Sequence, residues 1–385
     1  MYIENVKIKD QFLIFSTSSG DKCSLKDGSE GICKLITECP TAVQLTRKKV
    51  IPVICGFEET ESIVCCKEDE EVMEITRTTT NPVTNRTPGD ISKQKCKEYA
   101  EYAYEKVFAP TLLLKPHITK RLVCDIPRNR LVVGSSLASR REFPHMALIG
   151  HKPEGSDTNW HCGGSLISEN FVLTAAQCLF AASLTPPILV RVGVTNKTDL
   201  SQMQERTVSE IIIHPEFNST STYYDIGLLR FSKNVEFNTY IRPACLQTEK
   251  FIPSVLAIAS GWGVIGFGEE TSNDLLATVL EFYGAEECNN KYRLDVSSDR
   301  LKAGIVDDMI ICAGISKSER STCEGDAGGP LQIYHKETEE VKCMYDIIGV
   351  ISYGNPCGFQ QSGLIDIFTR VSVYLKWIED IVWPN

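Results

Sequence analysis

No stretch of this 385-residue chain is apolar for long enough to span a bilayer, and no apolar C-terminal tail suggests a lipid anchor. Excess positive charge is missing too. The formal net charge of -10 argues against nucleic acid as the main partner, because phosphate binding needs a basic surface. Lysine pairs such as Lys48 and Lys49 read as solvated. The cysteines lack a CxxC…CxxC spacing, so structural zinc is not expected. His145, His161 and His214 have no partners at a metal-ligand spacing and read as packing or surface residues. The opening MYIENVKIKDQFLIFSTSSG contains only the short run FLIF where a secretory leader needs a longer apolar core, which predicts a natural start further upstream.

What is abundant is cysteine. Sixteen of them, an even number, fit complete pairing in an oxidising, extracellular compartment. The sequons at Asn85, Asn196 and Asn218 point the same way, with Asn85 the weakest because Pro88 follows it. Hydrophobic residues make up 42% of the chain, enough for at least one full core and a second module.

The organisation changes along the chain. Cys23, Cys33, Cys39, Cys55, Cys65 and Cys66 crowd into a short first module, a disulfide scaffold standing in for a core too small to hold alone. Six cysteines can pair in fifteen ways, and counting cannot choose among them. The segment KEDEEVMEITRTTTNPVTNRTPGD is poor in apolar residues and reads as a linker. In KCKEYAEYAYEKVF, Cys96, Tyr99, Ala103 and Val107 recur near helical spacing and predict a short helix pinned by a cysteine. From about Leu131 the runs MALIG, FVLTAA, ILVRVGV, SEIIIH, IGLLRF and YDIIGVISYG predict an all-β barrel or sandwich. Val371, Tyr374, Ile378, Ile381 and Val382 then predict one docked C-terminal helix.

Acyl transfer needs a hydroxyl or thiol, a base, a carboxylate that orients the base, and backbone donors for the oxyanion. In CEGDAGGP, consecutive glycines let N–H groups converge on an oxyanion, with Gly325 and Ala327 as the donors. Upstream stand GGSLISENFVLTAAQC and YYDIGLLRF. TAAQC, DIGLL and GDAGGP, in that order, resemble the catalytic motifs of the chymotrypsin/trypsin family over roughly Val132 to Asn385. The six-cysteine module ending in Cys65-Cys66 resembles a clip domain, and the whole chain is similar to arthropod clip-domain proteases of the Snake-type subgroup. The resemblance implies an all-β, chymotrypsin-like double β-barrel with a C-terminal helix, preceded by a small disulfide-rich clip domain. Its divisions are an N-terminal segment at 1–22, the clip domain at 23–66, a linker with helix and activation site at 67–131, and the barrel domain at 132–385.

The departures carry the functional expectation. Gln177 stands where the family has its general-base His, Ala327 where it has its nucleophilic Ser, and only Asp225 matches. In an unrelated serine protease, losing either the Ser or the His costs roughly 10⁶ in turnover, about 8 kcal/mol of barrier. A secreted pseudo-protease is expected, with no cofactor and no calcium, since Val194 and not Glu follows Gly193. Its partners would be other clip-domain proteases or their zymogen substrates in an immune, melanisation or Toll-type cascade. The alternatives are an active chymotrypsin-like endopeptidase altered at these two positions, and a decoy that binds substrate. If Asp225 is buried as in the family, the Gln177 amide can still donate to it.

By resemblance, cleavage after Leu131 would free Val132 to pair with Asp326, whereas a cut after Arg130 would add one residue; Ser135 replaces the motif's second Gly. Ser321 marks a non-tryptic pocket base, Ser352, Tyr353 and Gly354 its wall, and Asp366 stands where a wall Gly is usual, either to attract a basic side chain or to fill the slot. The implied disulfides are Cys23–Cys65, Cys33–Cys55, Cys39–Cys66, Cys162–Cys178, Cys288–Cys312, Cys323–Cys357 and Cys124–Cys245, leaving Cys96 to bond Cys343.

Overall fold

The computed structural model describes residues 20–26, 28–36, 39, 42, 52–58, 61–66, 86–109, 117–125, 134–152, 157–180, 187–264, 271–296, 298–315, 326–354 and 364–384. The chain divides into two compact units, Met1–Asn81 and Pro82–Asn385.

In the first unit, β1 (Lys22–Ser24), β2 (Glu30–Leu35), β3 (Ile54–Glu58) and β4 (Glu61–Cys66) form one antiparallel sheet in the order β1-β2-β4-β3. Its apolar cluster is small and partly made of cysteine: Cys33, Cys55 and Cys65 pack with Ile63. Cys23–Cys65, Cys33–Cys55 and Cys39–Cys66 pair as the resemblance implied. Each bridge contributes about 2–4 kcal/mol by restricting the unfolded chain, which is how so short a unit holds its sheet.

The second unit opens with a helix, Asp90–Ala100, continued by a 3-10 turn to Ala103 and then by a hairpin of β5 (Tyr104–Ala109) and β6 (His117–Leu122). The predicted helix is therefore correct in kind but shorter than expected. Val107 lies in a strand, where β-branched and aromatic residues of YEKVF favour extended backbone. The helix N-terminus is capped from a distance. Glu379, buried on the C-terminal helix Leu375–Val382, accepts the Gly89 N–H at 3.0 Å, the Ser92 N–H at 3.0 Å and the Ser92 hydroxyl at 2.6 Å.

After β7 (Gly134–Leu137) come the six strands of a closed barrel: β8 (Met146–His151), β9 (Asn159–Leu166), β10 (Phe171–Thr174), β11 (Pro187–Val192), β12 (Gln204–Ile213) and β13 (Gly227–Phe231). Next are β14 (Cys245–Leu246), β15 (Leu256–Gly261), β16 (Leu276–Tyr283), β17 (Ile310–Ile315), β18 (Pro330–Tyr334), β19 (Tyr345–Tyr353) and β20 (Leu364–Arg370). The ring β15-β16-β17-β20-β19-β18 closes a second six-stranded barrel, with β7 added beside β16 and β14 beside β19. Every β-run named from the sequence falls on a strand, and Val371, Tyr374, Ile378 and Val382 are buried against the first barrel's core. Short helices at Ala285–Lys291 and Arg293–Val296 were not foreseen.

Two bridges correct the expected pairing. Cys96 bonds Cys245, with Cα atoms 4.9 Å apart, and Cys124 bonds Cys343, at 5.7 Å; Cys124–Cys245 and Cys96–Cys343 do not form. The reason is the docking of the linker helix. Its Glu379 cap and the edge contact of Tyr99 with Phe237, centroids 5.5 Å apart, set Cys96 beside β14, where Cys245 lies. Cys124, beyond the hairpin, then meets Cys343, whose carbonyl is held by Arg242 at 2.8 Å. Cys162–Cys178 and Cys288–Cys312 form as implied, while Cys323, Cys357 and Asn85 lie outside the described residues.

Candidate active site

Each of the positions that the resemblance assigns to catalysis sits beside the end of a barrel strand. Gln177 lies on a 3-10 turn just after β10, pinned by the Cys162–Cys178 bridge. Asp225 precedes β13 and is 2% exposed. The Gln177 backbone N–H donates to Asp225 Oδ1 at 2.9 Å, and its carboxamide Nε2 donates to Oδ2 at 2.8 Å and also to the Ser352 carbonyl. The Ser352 hydroxyl donates to the same Oδ2 at 2.6 Å, and Thr369 Oγ1 donates to the Asp225 carbonyl at 2.9 Å.

Burial raises the Asp225 carboxyl to about 6, against the opposing pull of the hydrogen bonds from Ser352 and Gln177. An ionised carboxylate in that place needs donors, and the glutamine supplies two of them. With Nε2 directed at acceptors, the carboxamide presents no nitrogen able to take a proton near neutral pH.

Ala327 lies on the loop between Asp326 and Gly329. The Gly163 N–H donates to its carbonyl at 2.9 Å, and Gly328, at φ +79°, presses so closely on β10 that a Cβ there would lie 2.0 Å from Thr174 Oγ1. Ala327, which the resemblance sets at the nucleophile position, is thus fixed against the strand end that carries Gln177, and its side chain is a methyl group. Asp326 turns the other way. Its Oδ1 accepts the Gly263 N–H at 2.7 Å, and its carboxylate fills the space that a Cβ at Gly261 or Gly263 would take.

Of the pocket residues, Gly354 and Asp366 meet: Asp366 is fully buried on β20, and a Cβ at Gly354 would lie 2.7 Å from its Oδ1. Tyr353 is held by Asp295 at 3.4 Å, with the Arg300 guanidinium 4.7 Å above its ring. Ser321, Gly325, Leu131 and Val132 lie outside the described residues. The sequence reading placed Ser352 in the pocket wall and missed its bond to Asp225, because the two are 127 residues apart. His145 is buried, and burial lowers its imidazole to about 3, with Arg242 adding to the effect and Gln332 opposing it. His214 is sandwiched among Tyr224, Tyr374 and Trp377, and His161 is exposed. Cys96, Cys245 and His335 cluster at metal-like distances, but those two sulfurs are bonded to each other.

Two closed six-stranded barrels, with Gln177 and Asp225 on the first and the Ala327 loop and Ser352 on the second, define a chymotrypsin-like serine-protease fold. The chain belongs to the trypsin family: the family model described as Trypsin matches residues 132–378. It is similar to Serine protease snk of Drosophila melanogaster, 33% identical over 93% of this chain and 78% of that protein. Serine protease Hayan of the same species is 36% identical over 66% of this chain and 39% of its own length. Phenoloxidase-activating enzyme 1 of Spodoptera litura is 25% identical over 96% of both chains.

Proposed function

We propose that this protein is a secreted, non-catalytic serine protease homologue that acts as a cofactor or regulator in an extracellular proteolytic cascade, with other clip-domain proteases or their zymogen substrates as partners. The observation that carries the reading is the pair Gln177 and Ala327, an amide spent on Asp225 and a methyl at the nucleophile position. No covalent acyl route runs through these two side chains. The cascade role rests on similarity to proteins named for proteolysis and for phenoloxidase activation. The paired cysteines support an oxidising, extracellular setting, and among the described residues no helix is long and apolar enough to cross a membrane.

In this reading Asp326 keeps its place as an activation latch, and cleavage after Leu131 supplies Val132 as its partner. Cleavage would not release the clip module, since Cys96–Cys245 and Cys124–Cys343 both tie the segment before the cut to the barrels. Asn196 and Asn218 are the sequons in described, folded surroundings, and we infer that they carry glycans. The test is reconstitution: the purified protein is added to a clip-domain protease and its zymogen substrate, and zymogen cleavage is followed by gel. A changed cleavage rate with no cleavage by the protein alone supports the role. An unchanged rate, or cleavage by the protein alone, overturns it.

A further inference from the structure

The two sulfurs of the Cys124–Cys343 bridge sit in unequal surroundings. Cys124, beyond the β5–β6 hairpin, is half-buried, whereas Cys343 is 1% exposed. Cys343 lies between β18 and β19 with φ +60°, a left-handed conformation that a side chain with a Cβ adopts only at a cost. Three bonds hold it there. Its N–H donates to Glu337 Oε1 at 3.1 Å, its carbonyl accepts from Arg242 Nη2 at 2.8 Å, and the same Nη2 donates to its Sγ at 3.3 Å. Arg242 is itself buried, and its Nη1 donates to the Thr239 carbonyl at 3.1 Å. Its charge thus meets carbonyls and one sulfur, with no carboxylate partner among the described residues. Asp125, next to Cys124, is instead held by Arg141 at 2.9 Å. Burial lowers the Arg242 guanidinium to about 10, so it is still charged at neutral pH. A cation against a sulfur lowers its thiol pKa, and a thiolate of lower pKa leaves a disulfide faster. The other bridge of this region is built differently: Cys96 and Cys245 are both buried, and the His335 imidazole, 3.9 Å from Cys96 Sγ, is taken by Asp346 at 2.7 Å.

We propose that Cys124–Cys343 is a thiol-exchange site whose co-substrate is a small thiol, with Cys124 the sulfur attacked, Cys343 the leaving sulfur and Arg242 the cation that receives its charge. A thiolate bonds to Cys124 Sγ, the Cys124–Cys343 bond breaks, and its electron pair stays on Cys343 as a thiolate against the guanidinium. A second thiol then attacks the added sulfur and frees Cys124, leaving the two small thiols joined as one disulfide. The bridge gains two electrons and the small thiols lose them. Of the two protons they give up, one returns to Cys124 and the other goes to water. Cys96–Cys245 still ties the helix Asp90–Ala100 to β14, so the exchange releases Cys124, the last cysteine before the proposed cut, without detaching the clip module. That consequence rests on the activation reading above. The exchange itself does not, and it is tested on uncut protein.

The experiment exposes the full uncut chain to reduced glutathione near neutral pH, blocks free thiols with iodoacetamide at intervals, and maps the four cysteines by mass spectrometry. Cys124–Cys343 should open at least roughly tenfold faster than Cys96–Cys245, with the glutathione adduct on Cys124. Alkylation of the released Cys343 should titrate below the ordinary thiol value of about 8.5. Arg242→Met should return that titration to the ordinary range and slow the opening roughly tenfold. An adduct on Cys343, opening no faster than that of Cys96–Cys245, an ordinary Cys343 titration in wild type, or one that Arg242→Met does not move would overturn the proposal. Should Arg242→Met not be secreted, the opening order, adduct site and titration of the wild-type chain decide it alone.

Discussion

The two acids of the site sit in opposite kinds of surroundings. Asp225 keeps three donors around its carboxylate, two from Gln177 and one from Ser352. Asp326 instead occupies a cradle cut by two glycines, where it accepts the Gly263 amide. The contrast teaches that the demands of a buried charge and the demands of catalysis are separable. A glutamine satisfies the first at Asp225 while offering no basic nitrogen for the second.

The comparison breaks most visibly if chemistry returns to the first corner. Gln177→His with Ala327→Ser should raise acylation by a fluorophosphonate by at least roughly 10³-fold, read as labelled protein per hour, because both missing groups are restored next to an intact Asp225. At the second corner, Gly263→Ala places a Cβ 2.4 Å from Asp326 Oδ2 and should cost about 2–3 kcal/mol in chemical unfolding as the carboxylate is displaced.

Asp225 then separates from Asp326 by pH. Its folded pKa, about 6, lies above its unfolded value, so the stability it contributes is complete below pH ~4 and is lost as pH rises through about 6. Thermal melts of wild type should fall by the equivalent of about 3 kcal/mol across that window, and Asp225→Asn should remove this slope. The smallest effect is expected from Gln177→Ala, about 1 kcal/mol, since the Gln177 backbone N–H and the Ser352 hydroxyl remain on the carboxylate. A loss as large as that of Gly263→Ala would mean the amide does more than satisfy Asp225.

Much of this was legible in the sequence, for reasons that differ by region. The strands were readable because short apolar runs alternate with turns, whereas the clip cysteines pair as the resemblance implied, a choice among fifteen that their spacing alone left open. The exchange among Cys96, Cys124, Cys245 and Cys343 was not readable. Both arrangements join the same two segments, and the choice depends on a helix dock fixed by Glu379, 287 residues from Ser92. Ser352 and Thr369 escaped notice as partners of Asp225 for the same reason: they reach it across 127 and 144 residues, where no local pattern records the contact.

The most direct measurement of the central claim is intact mass after prolonged exposure of the wild-type protein, uncut and cut before Val132, to excess fluorophosphonate. The account predicts no stoichiometric adduct on either form, while Gln177→His with Ala327→Ser acquires one. A full phosphonyl adduct on the wild-type chain would contradict it.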